Sequence, residues 1–113
     1  MKYKKTVFLP MYGGGYRKMR TEDIEYLEAC SYRCIIHLKD GKTEEVGCTL
    51  GVAIRCLDTM QFIRIHRSFA VNVDRVEKYY VGSMVMECGK SLPIGEAYRI
   101  NIRKALSIIS SRH

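Results

Sequence analysis

No run of this sequence is long and apolar enough to cross a bilayer. Stretches such as Phe69-Ala70-Val71 stop far short of the roughly 20 apolar residues a spanning helix requires, so no membrane partner is expected. Met1-Lys2-Tyr3-Lys4-Lys5 leads only into a short apolar segment broken at Pro10. An h-region followed by a small-residue cleavage site is missing, and export is not expected. Repeats and low-complexity tracts are absent, and Gly13-Gly14-Gly15 is the sole linker-like element. With 113 residues, 47% of them apolar and 27% charged, the chain fits one globular domain over residues 1–113 and leaves no room for a second. Cys30, Cys34, Cys48, Cys56 and Cys88 are an odd number of cysteines in a chain large enough to hold its core without staples. That points to reduced thiols in a cytoplasm.

Acid is also missing from the first twenty residues, where Lys2, Lys4, Lys5, Arg17, Lys18 and Arg20 stand unopposed. Residues 21–60 hold eight acids against four bases, residues 61–113 nine bases against four acids, and the whole chain is +7 at pH 7. An excess of this sign favours polyanions through steering and counterion release, with nucleic acid first among them. Charge gathered at the two ends of the sequence forms one basic face only if those ends meet in space; otherwise each is a solvated surface.

The hydropathy pattern reads mainly as strand. Thr6 to Met11 and Tyr16 to Met19 flank the glycine triplet, which suits a hairpin or bulge. Ile24 to Ala29 and Arg33 to Leu38 flank Cys30-Ser31-Tyr32, and Asp40-Gly41 then fits a type I′ turn with both central residues at positive φ. Thr49 can cap a short helix that aligns Leu50, Ala53, Ile54 and Leu57 on one face. Two β-rich runs, Phe62 to Ile65 and Phe69 to Val73, surround His66-Arg67-Ser68, with Asn72 suited to a turn in αL that caps Asp74-Arg75-Val76. Met84 to Glu87 and Lys90 to Pro93 are arms of a hairpin around Cys88-Gly89. After Pro93 the period changes: Tyr98, Ile102, Leu106 and Ile109, with Ala105, make an i, i+4 stripe for a C-terminal helix. The sum is a mainly β domain.

Several chemistries fail on residue type or spacing. Gly13-Gly14-Gly15-Tyr16-Arg17-Lys18 lacks the Gly-Lys-Ser/Thr ending of a phosphate-cradling loop. Cys30, Cys34 and His37 offer three zinc donors, but on a continuous strand both cysteines would oppose the histidine. His66 and Ser68 flank one arginine without a convincing orienting acid, which is weak ground for a nucleophile. Neither cofactor nor metal is expected, and no enzymatic activity.

The segment Arg64-Ile65-His66-Arg67-Ser68-Phe69-Ala70-Val71-Asn72 resembles the Arg-x-His-Arg-Ser-Phe/Tyr-x-Val-Asn signature of the LytTR family of bacterial DNA-binding domains. Asp23-Ile24-Glu25-Tyr26-Leu27-Glu28-Ala29 is similar to that family's early Asp-Ile-x-Tyr-x-Glu-Ala block, and Leu92-Pro93-Ile94 followed by Tyr98-Arg99 to its final strand and turn. The Leu50 to Leu57 helix falls in the family's helix position, so the resemblance covers about residues 6–106. It implies an elongated arrangement of small antiparallel sheets with one short helix and a C-terminal helix. Loops rather than a recognition helix would enter successive major grooves of double-stranded DNA, as in the output domain of a response regulator. Two copies would occupy adjacent repeats and bend the duplex; with no dimerisation element of its own, the chain is expected to be a monomer in solution. Family members commonly carry a receiver domain ahead of this one, for which this chain has no room.

Carried residue by residue, the resemblance places the base-reading loops on Tyr32 with Arg33, on His66-Arg67-Ser68 and on the turn after Ile94; within them Tyr32, Arg67 and His66 are the candidate base readers, while Ser31, Arg33 and Ser68 suit phosphates. Arg67 is the best direct reader, because its fork matches guanine O6 and N7. As a residue, His66 fits better as a hydrogen-bonding strut in a tight bend. Lys18, Arg99, Arg103 and Lys104 add phosphate-binding charge. Gly95-Glu96-Ala97 departs from the basic sequence usual after the last strand. A rival reading is a protein-interaction or anti-activator module that kept the fold with weakened readout.

Overall fold

Short alternating segments build ten strands and two short helices among residues 5–108, which the computed structural model describes. In chain order these are β1 (Thr6–Pro10), β2 (Tyr16–Arg20), β3 (Ile24–Cys30), β4 (Arg33–Leu38), β5 (Thr43–Val46), α1 (Leu50–Cys56), β6 (Phe62–His66), β7 (Phe69–Asn72), β8 (Val76–Tyr79), β9 (Ser83–Met86), β10 (Ser91–Pro93) and α2 (Arg99–Ala105). All pairing is antiparallel, in a β1-β2 hairpin sheet, a five-stranded sheet of order β5-β4-β3-β7-β6, and a three-stranded sheet β10-β9-β8.

The five-stranded sheet is the middle layer, and side-chain parity sends its apolar residues into two separate cores. Leu27, Cys34, Ile36, Phe62 and Ala70 pack with Val7, Leu9 and Met19 of the hairpin and with Leu50, Ala53 and Leu57 of α1. Tyr26, Ile65 and Val71 pack on the other side with Met84, Met86 and Leu92 of the three-stranded sheet and Ile102 of α2. A register shift between Ile24 and Tyr26 in β3 sends these two residues, which plain alternation would put on one face, to opposite cores, and a second shift lies between Arg64 and His66 in β6. Layers on both sides of a small sheet give an elongated body of 52 × 31 × 24 Å.

Fold class is therefore as expected from the sequence: mainly β, small antiparallel sheets, one short helix and a C-terminal one. Thr49 caps α1 by accepting from the Val52 amide at 3.3 Å. Three details differ. Asp40 keeps a negative φ and only Gly41 is positive, at 90°, so this turn is not type I′. The Gly41 amide donates to Leu38 O and the Leu38 amide to Lys42 O, which is the three-residue hairpin with glycine at its αL position. Ala105 is exposed, because α2 buries only Ile102 fully and rests Tyr98 and Leu106 at the core margin; Ile109 lies outside the described residues. Asn72 does cap the turn, accepting from the Asp74 amide at 3.0 Å, but in extended backbone at φ −78°.

The described parts of the two basic ends do not meet as one face. The β1-β2 hairpin packs on one side of the middle sheet and α2 on the other. Much of the acidic middle is neutralised locally, through Arg17–Glu44 at 3.6 Å, Arg33–Glu45 at 2.8 Å and Lys39–Asp23 at 3.2 Å.

Candidate nucleic-acid interface

Antiparallel pairing of β3 with β7 sets the end of one strand beside the start of the other, so the turns they belong to leave the sheet together. Cys30 pairs with Arg33 around Ser31-Tyr32, and His66 pairs with Phe69 around Arg67-Ser68. The Ala29 amide donates to Ser68 O at 2.8 Å and ties the two turns together. A third turn joins them from the other layer, where the Gly95 amide donates to Ile65 O at 2.8 Å and a Cβ on Gly95 would stand 3.7 Å from His66 Cα. The hairpin tip closes the row on the opposite flank. Met11 bridges Val46, and the Gly47 amide donates to Pro10 O at 2.8 Å.

Each turn carries side chains the interior does not use. Tyr32 is 85% exposed, more than any other large apolar side chain of the described residues, so no packing need accounts for it. Its neighbour Ser31 holds φ at 58°, the first central position of a two-residue turn, where glycine is the unstrained choice. Ser31→Gly is expected to raise stability by about 0.5–1 kcal/mol, the relieved left-handed strain less the added chain entropy of glycine. A urea melt in which the variant is less stable would show instead that the serine side chain holds the turn.

Arg67 is exposed at the tip of its turn, and Arg64 works beneath it. The Arg64 guanidinium donates from Nη2 to Arg67 O and from Nε to His66 O, the latter at 3.3 Å, so it holds the turn's carbonyls from behind. His66 Nδ1 accepts from the Ser68 amide at 3.0 Å, which leaves the ring proton of the neutral form on Nε2. The strut is thus present, and it engages the backbone of Ser68. Arg33 is already held, 2.8 Å from Glu45 and 4.1 Å over the Tyr12 ring.

The remaining basic residues lie off this row. Lys18 is on the exposed outer face of β2, paired across the hairpin with Phe8. Arg103 and Lys104 are exposed on α2, and Lys104 lines a groove with Thr59, Met60 and Ile63. Arg99 is half-buried, and its Nε is buried without a hydrogen-bond partner among the described residues. Glu96 is exposed in the third turn.

A family model, the LytTr DNA-binding domain, matches residues 14–107. The chain belongs to this family. Among solved structures it is similar to the LytTr DNA-binding domain of a response regulator from Bacillus cereus, at a TM-score of 0.76 and 26% identity, over 93% of this chain and 99% of that one. A comparison with curated proteins finds no match. The family is one of DNA-binding domains rather than enzymes, and no helix of the described residues is long and apolar enough to cross a membrane.

The rest of this LytTr domain's chemistry is structural. Cys34 lies in one core while His37 stacks on Tyr26 at 4.2 Å and bonds Glu28 at 2.9 Å, so the three donors weighed for zinc are not gathered. Burial pushes the Cys34 thiol up to about 12, with Cys48 adding to the effect, and it also raises Cys48 and Cys88. These are poor nucleophiles at neutral pH. A cleft of about 440 Å³ lined by Tyr26, His37, Leu38, Cys88 and Lys90 opens between layers, at the end of β4 away from the Ser31-Tyr32 turn.

Sequence reasoning missed Arg64, Glu45 and Glu25. Arg64 stood inside the signature, yet its role depends on the β6 bulge, which no periodicity reveals. Glu45 required knowing which strand lies beside β4. Glu25 is 1% exposed and accepts from the Cys88 amide at 2.8 Å, joining the three-stranded sheet to β3. A glutamate in an alternating strand reads as solvent-facing.

Proposed function

We propose that this chain is a sequence-specific DNA-binding transcriptional regulator that reads successive major grooves of double-stranded DNA with the row of turns. The observation that carries this reading is the emergence of the Ser31-Tyr32 and Arg67-Ser68 turns side by side at one end of the middle sheet, in a LytTr-family chain. Arg67 reads bases, with Tyr32 and the Nε2 proton of His66 beside it, because exposed donors at a rigid turn can follow base edges. Ser31, Arg33 and Ser68 hold phosphates; Lys18, Arg99, Arg103 and Lys104 extend that contact from the two flanks. Arg33 reaches a phosphate by exchanging Glu45 for it, so its contribution is the difference between two ion pairs.

Two strand spacings, about 10 Å, separate the two central turns, and one helical repeat of DNA is about 34 Å. The central pair therefore serves one stretch of duplex, and a second major groove falls to the Gly95-Glu96 turn at the outer end of the row. Two copies on adjacent repeats, each monomeric in solution and each a single domain over residues 1–113, would complete an operator in a cytoplasmic setting.

Selection of bound fragments from a random duplex pool by the purified chain tests the reading. A shared repeated motif is expected; binding without any enriched sequence would leave an interaction module that kept the fold. The third turn has its own test. Replacing Glu96 by arginine adds a cation where the row meets phosphates, and is expected to tighten binding and steepen its salt dependence by about one to two in slope. If affinity and slope both stay put, that turn does not approach DNA.

A further inference from the structure

We propose that the tip of the β1-β2 hairpin is a fourth DNA-contacting element, a sequence-independent clamp on the sugar-phosphate backbone beside the Ser31-Tyr32 turn. The proposal rests on the DNA-binding reading above. It concerns a part of the chain that the family match only partly covers, since residues 14–107 leave β1 and Tyr12 outside it.

The hairpin is seated on Gly47, where a Cβ would stand 2.9 Å from Met11 O and 3.3 Å from Tyr12 Cα, so the two backbones touch directly. Together with the Met11–Val46 bridge and the Arg33 guanidinium over the Tyr12 ring, this contact fixes the tip at the level of the reading turns. A duplex lying along those turns meets it.

Val7, Leu9 and Met19 satisfy the core from the inner face of the hairpin. The outer face pairs Phe8 with Lys18 and Pro10 with Tyr16, and it leaves Phe8 61%, Tyr16 71% and, at the tip, Tyr12 66% exposed. Aromatic rings that the interior does not need, interleaved with a lysine that has no ion-pair partner among the described residues, suit deoxyribose and phosphate. Gly13 and Gly14 take φ of 100° and 110°, and a Cβ at either would meet nothing within 4 Å. The Gly14 amide is used within the tip, donating to Met11 O at 3.1 Å, but the tip presents bare backbone to the outside, so a phosphate or sugar can come close without a side chain in the way. Contacts of this kind position the protein and carry no sequence information.

The test uses the full chain with Tyr16→Ala and Lys18→Ala combined, both exposed residues that take no part in the Arg33–Tyr12 stack. The probe is the duplex recovered by the wild-type selection, titrated at several salt concentrations and footprinted with hydroxyl radical. Binding is expected to weaken about 3- to 10-fold, with the salt slope shallower by about one. Protection should be lost from the outermost nucleotides on one flank, with the enriched sequence unchanged. An unaltered slope and footprint, alongside an Arg67→Ala variant that loses the enriched sequence, overturns the clamp and leaves the DNA-reading turns in place. If the wild type itself enriches no sequence and leaves no footprint, the DNA-binding reading fails and the clamp with it. Unchanged DNA titration combined with lost binding of poly-glutamate would assign the face to an acidic protein, against the proposal.

Discussion

Asn72→Ala is expected to lower the free energy of unfolding by about 3 kcal/mol, a large share of the total for a domain of this size. Asn72 is wholly buried at the end of β7. Its Nδ2 donates to Ile24 O at 2.8 Å and to Thr21 O at 3.3 Å, and its Oδ1 accepts from the Asp74 amide at 3.0 Å. Truncation removes a cap worth about 1 kcal/mol and takes the side-chain donor from the Ile24 carbonyl, at about 1–3 kcal/mol for a buried group left unsatisfied, whereas Thr21 O keeps the Ile24 amide. Asn72→Asp keeps the shape but turns the donor into an acceptor facing two carbonyls, and it is expected to be at least as damaging near neutral pH. Chemical denaturation checks both. A loss below about 1 kcal/mol for the alanine variant would show that solvent replaces the amide. The Arg67-Ser68 turn belongs to the other end of β7, so the folded fraction of either variant should bind DNA with its specificity intact.

Asn72 also marks where the sequence was and was not legible. Its role as a cap could be read from residue type and position, because a side-chain oxygen two residues before an amide is local chemistry. Its reach to Thr21 and Ile24, about fifty residues earlier in the chain, could not, since nothing local encodes which loop comes to rest beside it. The same division runs through the fold. Strands, the Thr49 helix and the C-terminal helix follow from period and caps, whereas the three-sheet pairing follows from contacts distant in sequence. At the turns, Tyr32 and Arg67 were visible through the family signature. The Arg33–Glu45 pair and the Arg64 brace were not, because each depends on a neighbour supplied by another strand or on a bulge. Net charge was legible only as a total. The +7 left open whether the two basic ends form one face; part of it is paired internally with Glu44, Glu45 and Asp23, and the described parts of those ends pack on opposite sides of the middle sheet.

Arg67→Ala is expected to cut the preference for the selected motif over random duplex by about 10- to 100-fold, the loss of one bidentate base contact of about 1–3 kcal/mol. Stability should not change, since Arg67 is exposed and its side chain holds no partner among the described residues; its carbonyl is engaged, by Arg64. Arg67→Lys separates the two roles a cation can play at this position. A point charge retains phosphate attraction but not the fork, so the lysine variant should keep the wild-type salt slope and still lose the preference. Equal retention of preference by lysine would mean that Arg67 contacts phosphate and that reading belongs to Tyr32. Arg64→Met supplies the complementary result, because removing the brace frees the carbonyls of His66 and Arg67 while leaving the reader in place. Preference should then fall with a smaller change in the salt slope than a lost phosphate contact would give, since what is lost is the orientation of Arg67 rather than its charge.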